Sequence, residues 1–303
     1  MAHYVTVDIG GTAIKHGLAD ETGTFKTQGS RPTLAREEGA AGIVHKVVEI
    51  VGDYQKQVAE DGLTVKGVAI STAGIVEPGP DGRIRYAGEH FPGYSGVCLG
   101  SLVREACHLP CHVENDTNAA ALGEFWLGAA KGARSAFMVT VGTGIGGAFL
   151  QDGKIWHGAG SSAGELGFLR LHGSLKLLEE AASARTMVEE AAISHNVSPA
   201  ELKGETVFAW ASKGDADAVN AIEHLVDTLS EGLAAVCCLL NPELIVLGGG
   251  IMAQSEYLRP RFTQRLEELV VPAMRDCTRL AFAELGNNAG MLGALYALLH
   301  EEK

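Results

Sequence analysis

The feature that most narrows what this chain can fold into is a short pattern that occurs twice. Residues 4–9 are apolar and β-branched, Gly10-Gly11-Thr12 makes a tight turn, and residues 13–18 resume as a strand. Residues 136–141, Gly142-Thr143-Gly144-Ile145-Gly146-Gly147 and residues 148–150 repeat strand, glycine turn and strand. Runs of this kind joined by a glycine turn form hairpins. Two copies predict two α/β domains that open in the same way. The length of 303 residues agrees, because a single core rarely grows past about 250–300 residues. We place an N-terminal domain at residues 1–117, with a C-terminal helix over 289–303 packing back on it, and a larger domain at residues 118–288.

Glycines between strands let backbone N–H groups approach an anion with no Cβ in the way. Asp8 precedes the first turn, suited to holding Mg²⁺ through water, and Thr12 and Lys15 follow its glycines. One such turn reads as a plain hairpin; two equivalent turns read as a clamp on one triphosphate. Gly142-x-Gly144-x-x-Gly147 also matches the dinucleotide fingerprint, but that motif needs a helix to follow. Residues 148–153 read instead as strand and turn, and no Walker A sequence is present.

A short strand from Cys111 runs through Val113-Glu114 into Asn115-Asp116 and an Ala-rich helix. Ligands of open α/β sheets gather at such strand ends. Asp116 is placed to cap that helix; beside two phosphate cradles it is also the candidate catalytic base of a kinase. Glu165, in a loop of small residues, and Glu179, on a helix, are ordinary surface carboxylates unless they converge on a polyhydroxylated ligand. Cys107-His108-Leu109-Pro110-Cys111-His112 offers four metal ligands, but it spans a helix end and a strand start and has no second ligand pair, so it reads as a turn with buried thiols.

Further elements follow from periodicity: helices at 36–60, 97–107, 257–269 and 289–300, a mainly helical stretch at 174–240, and strands at 65–71, 244–247 and 279–284. A net charge of −13 argues against a nucleic-acid partner. No membrane span or signal peptide is read from the sequence, and six cysteines without a Cys-x-x-Cys pair fit a reducing cytoplasm.

The motifs Asp8-Ile9-Gly10-Gly11-Thr12, Glu114-Asn115-Asp116-x-Asn118-Ala119-Ala120, Gly142-Thr143-Gly144-Ile145-Gly146-Gly147, Ala163-Gly164-Glu165-Leu166-Gly167 and Leu247-Gly248-Gly249-Gly250 occur in this order. Together they resemble the ROK (repressor, open reading frame, kinase) family of sugar kinases over nearly the whole chain. The resemblance implies an actin-like ATPase fold of two RNase H-like domains, with ATP and sugar in a central cleft, and a homodimer. It implies Asp116 as the base toward the sugar C6 hydroxyl, and Ala73, Gly74, Asn115, Glu165 and Glu179 as sugar contacts. Asp8, Gly10, Gly11, Thr12, Lys15, Gly142, Thr143, Gly144 and Gly249 would serve ATP and Mg²⁺. Most of the family carries a zinc-binding His after the Glu-x-Gly motif and then a Cys-rich loop. Phe168 stands there in this chain and residues 169–177 hold no cysteine, so no structural zinc is expected. Zinc-free relatives include N-acetylmannosamine and β-glucoside kinases; Ile70-Ser71-Thr72-Ala73-Gly74 and Tyr86-Ala87-Gly88 favour the amino sugar slightly. Glucokinase or β-glucoside kinase activity, or a sugar sensor or regulator without turnover, are the alternatives.

Overall fold

A computed structural model describes residues 2–301. In chain order its elements are β1 (His3–Ile9), β2 (Ala13–Asp20), β3 (Phe25–Pro32), α1 (Ala35–Glu60), β4 (Val65–Thr72), β5 (Ile75–Val76), β6 (Ile84–Tyr86), α2 (Leu99–Cys107), β7 (Cys111–Asn115) and α3 (Asp116–Leu127). There follow β8 (Ser135–Val141), β9 (Ile145–Gln151), β10 (Lys154–Ile155), α4 (Leu178–Ala182), α5 (Ala184–His195), α6 (Gly204–Ala211), α7 (Ala216–Leu239), β11 (Leu244–Gly248), α8 (Ser255–Leu269), α9 (Pro272–Arg275), β12 (Arg279–Phe282) and α10 (Ala289–His300). Among the described residues no helix is long and apolar enough to cross a membrane.

The chain divides into two compact units. The first comprises the residues up to Leu127, Ile155–Ala163 and the residues from Asn287 onward; the second comprises Gly128–Lys154 and Gly164–Gly286. The division therefore falls after α3, where the sequence placed it after Thr117, and a short segment near residue 160 returns to the first unit.

The first unit is built on a sheet in the order β3-β2-β1-β4-β7, antiparallel through the β1–β2–β3 meander and parallel from β1 to β4 to β7. Alternation sorts its side chains. Val5, Val7 and Ile9 join Val68 and Ile70 against Ile43, Val47 and Ile50 of α1 and Leu99 and Val103 of α2. Ala69 on the opposite face meets Ala119 of α3 and Ala294 and Leu295 of α10. Small residues let these two helices come very close. A methyl group on Gly293 would land on the carbonyl oxygen of Ala119, and one on Gly123 would land on that of Ala289. That contact explains why α3 belongs to the first unit. The expected C-terminal helix is formed by Ala289–His300; residues 302 and 303 lie outside the described residues.

The second unit repeats the plan. Its sheet has the order β10-β9-β8-β11-β12, with an antiparallel β8–β9 hairpin and parallel β8–β11 and β11–β12 pairs. Phe137, Val139, Val141, Ile245 and Leu247 pack against Ile222, Leu225 and Leu229 of α7 and Leu258 and Phe262 of α8. Each such side chain contributes roughly 1.5–3 kcal/mol on burial.

Candidate active site

Strand register brings together the candidates of the first unit. Asp8 on β1 stands opposite Lys15 on β2 and Ser71 on β4, and Ser71 stands opposite Glu114 on β7. Directly opposed residues share a face. Accordingly Ser71 Oγ donates to Asp8 Oδ1 at 2.7 Å, and Lys15 Nζ lies 3.8 Å from Asp8 Oδ2. Lys15 Nζ also donates to Asn287 Oδ1 at 3.0 Å. Burial raises the Asp8 pKa, and the Ser71 hydrogen bond and the Lys15 charge partly offset it.

The next row is Ile9, Thr72 and Asn115. Asn115, rather than Asp116, caps α3: its Oδ1 accepts the N–H groups of Thr117 and Asn118, both at 2.9 Å. Its Nδ2 donates to the Gly74 carbonyl at 2.9 Å and to Asp116 Oδ1 at 3.1 Å. Gly74 has φ +104°, and a methyl there would lie 2.6 Å from the Tyr86 carbonyl oxygen, so only glycine lets the β5–β6 hairpin close over this spot. Ala73 is held beside it by an N–H bond to the Ile9 carbonyl at 3.2 Å.

Asp116 is the first residue of α3, and its Oδ1 accepts the Thr117 N–H at 2.8 Å. The residue keeps an open face to solvent. Its pKa is pushed up to about 6, first by the protein crowded around it and second by the charge of Asp8, with Thr117 and Asn115 opposing. A carboxylate so placed is ionised at neutral pH and more basic than an ordinary aspartate, which suits a general base.

The second unit gathers the other candidates. Gly249, at φ +103°, presses against β8 so closely that a methyl would land on the Val141 carbonyl oxygen. This sets Gly249 beside the start of the Gly142-Thr143-Gly144 turn. Glu179 lies against the same turn: a methyl on Gly144 would sit 2.5 Å from Glu179 Oε2, which accepts the Ile145 N–H at 3.4 Å. Glu165 stands half-buried just ahead of a 3-10 turn, Leu166–Phe168, in the loop whose Gly164 packs on Gly147 of β9. β9 follows the glycines as a strand, so no helix is there to receive a dinucleotide.

Not every amide of the glycine turns is available to an anion. Gly10 N–H donates to Ala13 at 3.1 Å and Gly142 N–H to Gly144 at 2.9 Å, each closing its own hairpin. Gly11, Thr12 and Thr143 stand exposed at the tips. Among the described residues no group of three or more His, Cys, Asp or Glu side chains is placed to hold a metal ion.

Sequence reasoning overlooked several members of the site. Ser71 is signalled only by its register with Asp8. Gly290 in α10 comes so near that a methyl would lie 2.8 Å from Ser71 Oγ and 3.1 Å from Asp8 Oδ1. Glu114 was visible as the neighbour of Asn115, but its partner His157 carried no signal.

The chain belongs to the ROK family, whose sequence profile matches residues 4–302. A β-glucoside kinase of Listeria monocytogenes is 30% identical over 302 residues, which is 97% of this chain and 97% of that protein. The structure of a ROK family glucokinase from Streptomyces griseus, in complex with glucose and AMPPNP, superposes with a TM-score of 0.80 at 28% identity, over 97% of this chain and 98% of that one. A Listeria monocytogenes protein provisionally assigned as an N-acetylmannosamine kinase superposes with a TM-score of 0.84 at 27% identity, over 99% and 100% of the two chains. The two units carry the actin-like ATPase fold of these sugar kinases.

Proposed function

We propose that this chain transfers the γ-phosphoryl group of ATP to the C6 hydroxyl of a hexose or N-acetylhexosamine, with N-acetylmannosamine the first candidate. The observation that carries the proposal is Asp116: an open, raised-pKa carboxylate on the first turn of a helix, with Asn115 and Gly74 bonded together beside it. The glucose and AMPPNP bound by the Streptomyces griseus glucokinase support both substrates.

In this mechanism Asp116 orients the sugar hydroxyl and accepts its proton as the phosphoryl group arrives. Phosphoryl transfer is largely positioning and charge neutralisation. Asn115, Ala73, Gly74, Glu165 and Glu179 hold the sugar, and the turns at Gly10-Gly11-Thr12 and Gly142-Thr143-Gly144, with Lys15 and Gly249, hold the nucleotide. The charge of Asp8 raises the cost of ionising Asp116, and the two carboxyls are a donor pair that fits Mg²⁺, which takes one or two carboxylates alongside phosphate oxygens. When bound, the ion would neutralise phosphate charge.

A coupled ADP-release assay tests the proposal, using ATP with D-glucose, N-acetyl-D-mannosamine, N-acetyl-D-glucosamine and cellobiose. ADP release that depends on one of these sugars supports it. Sugar binding without ADP release overturns it in favour of a sensor.

A further inference from the structure

The carboxylate just before Asn115-Asp116 has an unusual set of partners. Glu114 is almost wholly buried, with 4% of its surface exposed. A buried carboxylate is costly unless its oxygens are met by donors. Glu114 Oε1 accepts the Asn115 N–H at 2.9 Å and Asn118 Nδ2 at 3.0 Å; Oε2 accepts from His157 Nε2 at 2.9 Å. A carboxylate accepts only, so the His157 proton stands on Nε2.

These bonds bracket the catalytic turn. Asn115 ends β7, Asn118 lies in the first turn of α3, and one carboxylate holds both. His157 comes from Ile155–Ala163, the segment that returns to the first unit. Its carbonyl accepts the Ala163 N–H at 3.1 Å, closing a loop that runs on directly to Gly164 and Glu165. Burial alone would raise the Glu114 pKa, but His157 and Asn118 more than offset it, so the group stays ionised; the Glu114 hydrogen bond in turn raises His157. The other charges nearby are His112 on β7 and its partner Glu301, at 3.0 Å.

We infer that Glu114 and His157 form a positioning pair: the imidazole ring holds the Glu114 carboxylate through Nε2, and the carboxylate fixes the strand end and helix turn from which Asn115 and Asp116 reach the substrate. The inference rests on the kinase reading for its effect on turnover, but the clamp itself can be tested apart from it.

The experiment compares the full chain with His157→Gln and Glu114→Gln in two assays. With whichever panel sugar the native protein phosphorylates, His157→Gln is expected to lower kcat about tenfold or more while the KM for ATP stays within about twofold, since a displaced base weakens the transition state and leaves nucleotide binding alone. A folded variant with kcat within about twofold of native overturns the inference. In amide hydrogen exchange, the Asn115–Asn118 amides are expected to exchange about tenfold faster in both variants, with the sheet core unchanged; unchanged exchange there overturns the inference even if no sugar is phosphorylated, an outcome that would sink only the kinase reading. Should neither variant fold, NMR titration of the His157 ring in the native chain decides: a midpoint at or below the ordinary value of 6.5 overturns the inference.

Discussion

Asp8, one residue from the end of β1, and Asp116, at the start of α3, lie close enough that the charge of Asp8 helps push the Asp116 pKa up to about 6. Asp116 is thus tuned by a second carboxylate that has its own partners, Ser71 and Lys15.

Asp116→Asn should lower turnover by about 10²–10⁴-fold while sugar binding, measured by calorimetry, persists. It should also stabilise the protein. A carboxyl whose folded pKa is raised carries no penalty below the unfolded value of 3.8, and the penalty grows as pH rises through about 6. With solvent screening at an open site, the expected gain at neutral pH is about 1 kcal/mol in urea unfolding, vanishing in acid.

The same shift sets a pH profile. Because the base must be ionised, kcat/KM should fall about tenfold per pH unit on the acid side of its midpoint, which is expected at about 6. Asp8→Asn should move that midpoint to lower pH, because it removes a like charge. A midpoint that does not move would assign the titration to another group.

The Glu114–His157 pair should give a stability optimum. The lowered Glu114 pKa stabilises above the unfolded value of 4.5 and loses that effect as pH falls through the folded value. The raised His157 pKa stabilises below the unfolded value of 6.5 and loses it as pH rises through the folded value. The Tm difference between native protein and Glu114→Gln should therefore be largest between 4.5 and 6.5 and shrink on both sides.

Gly293→Ala should cost about 3 kcal/mol or more in denaturant unfolding, because the new methyl meets backbone that cannot yield. Gly52→Ala, where a methyl meets nothing within 4 Å, is the control and should change stability little or raise it.

Zinc analysis of chelator-washed protein should find less than about 0.1 ion per chain, since a structural site takes four ligands. Phe168, where the family resemblance leads one to expect a zinc-binding histidine, is 44% exposed and offers no metal ligand. A full equivalent of zinc would assign ligands that the motif comparison does not reveal.

Much of the frame was legible because it is local. The two glycine hairpins and the helix over 289–300 follow from patterns within a few residues of one another. Helix ends differ from the periodicity: the helix expected from Val97 starts at Leu99, the one expected from Tyr257 starts at Ser255, and α1 is interrupted at Gly39, whose φ is +62°. The limits of the first unit were hidden because they depend on Gly123 meeting Ala289 and on His157 reaching Glu114, contacts between residues far apart in the chain. The exchange of roles between Asn115 and Asp116 was likewise invisible, since either residue type caps a helix and only geometry says which one does.

The seating of α10 against α3 bears on how the protein is made. α10 lies far after α3 in the chain, so the core that β4 and α3 begin stays open, with Ala69 and Ala119 uncovered, until Ala294 and Leu295 have been made. A chain released before Ala289 would lack one wall of that core, and quality control in the cell would meet it as an unfinished protein.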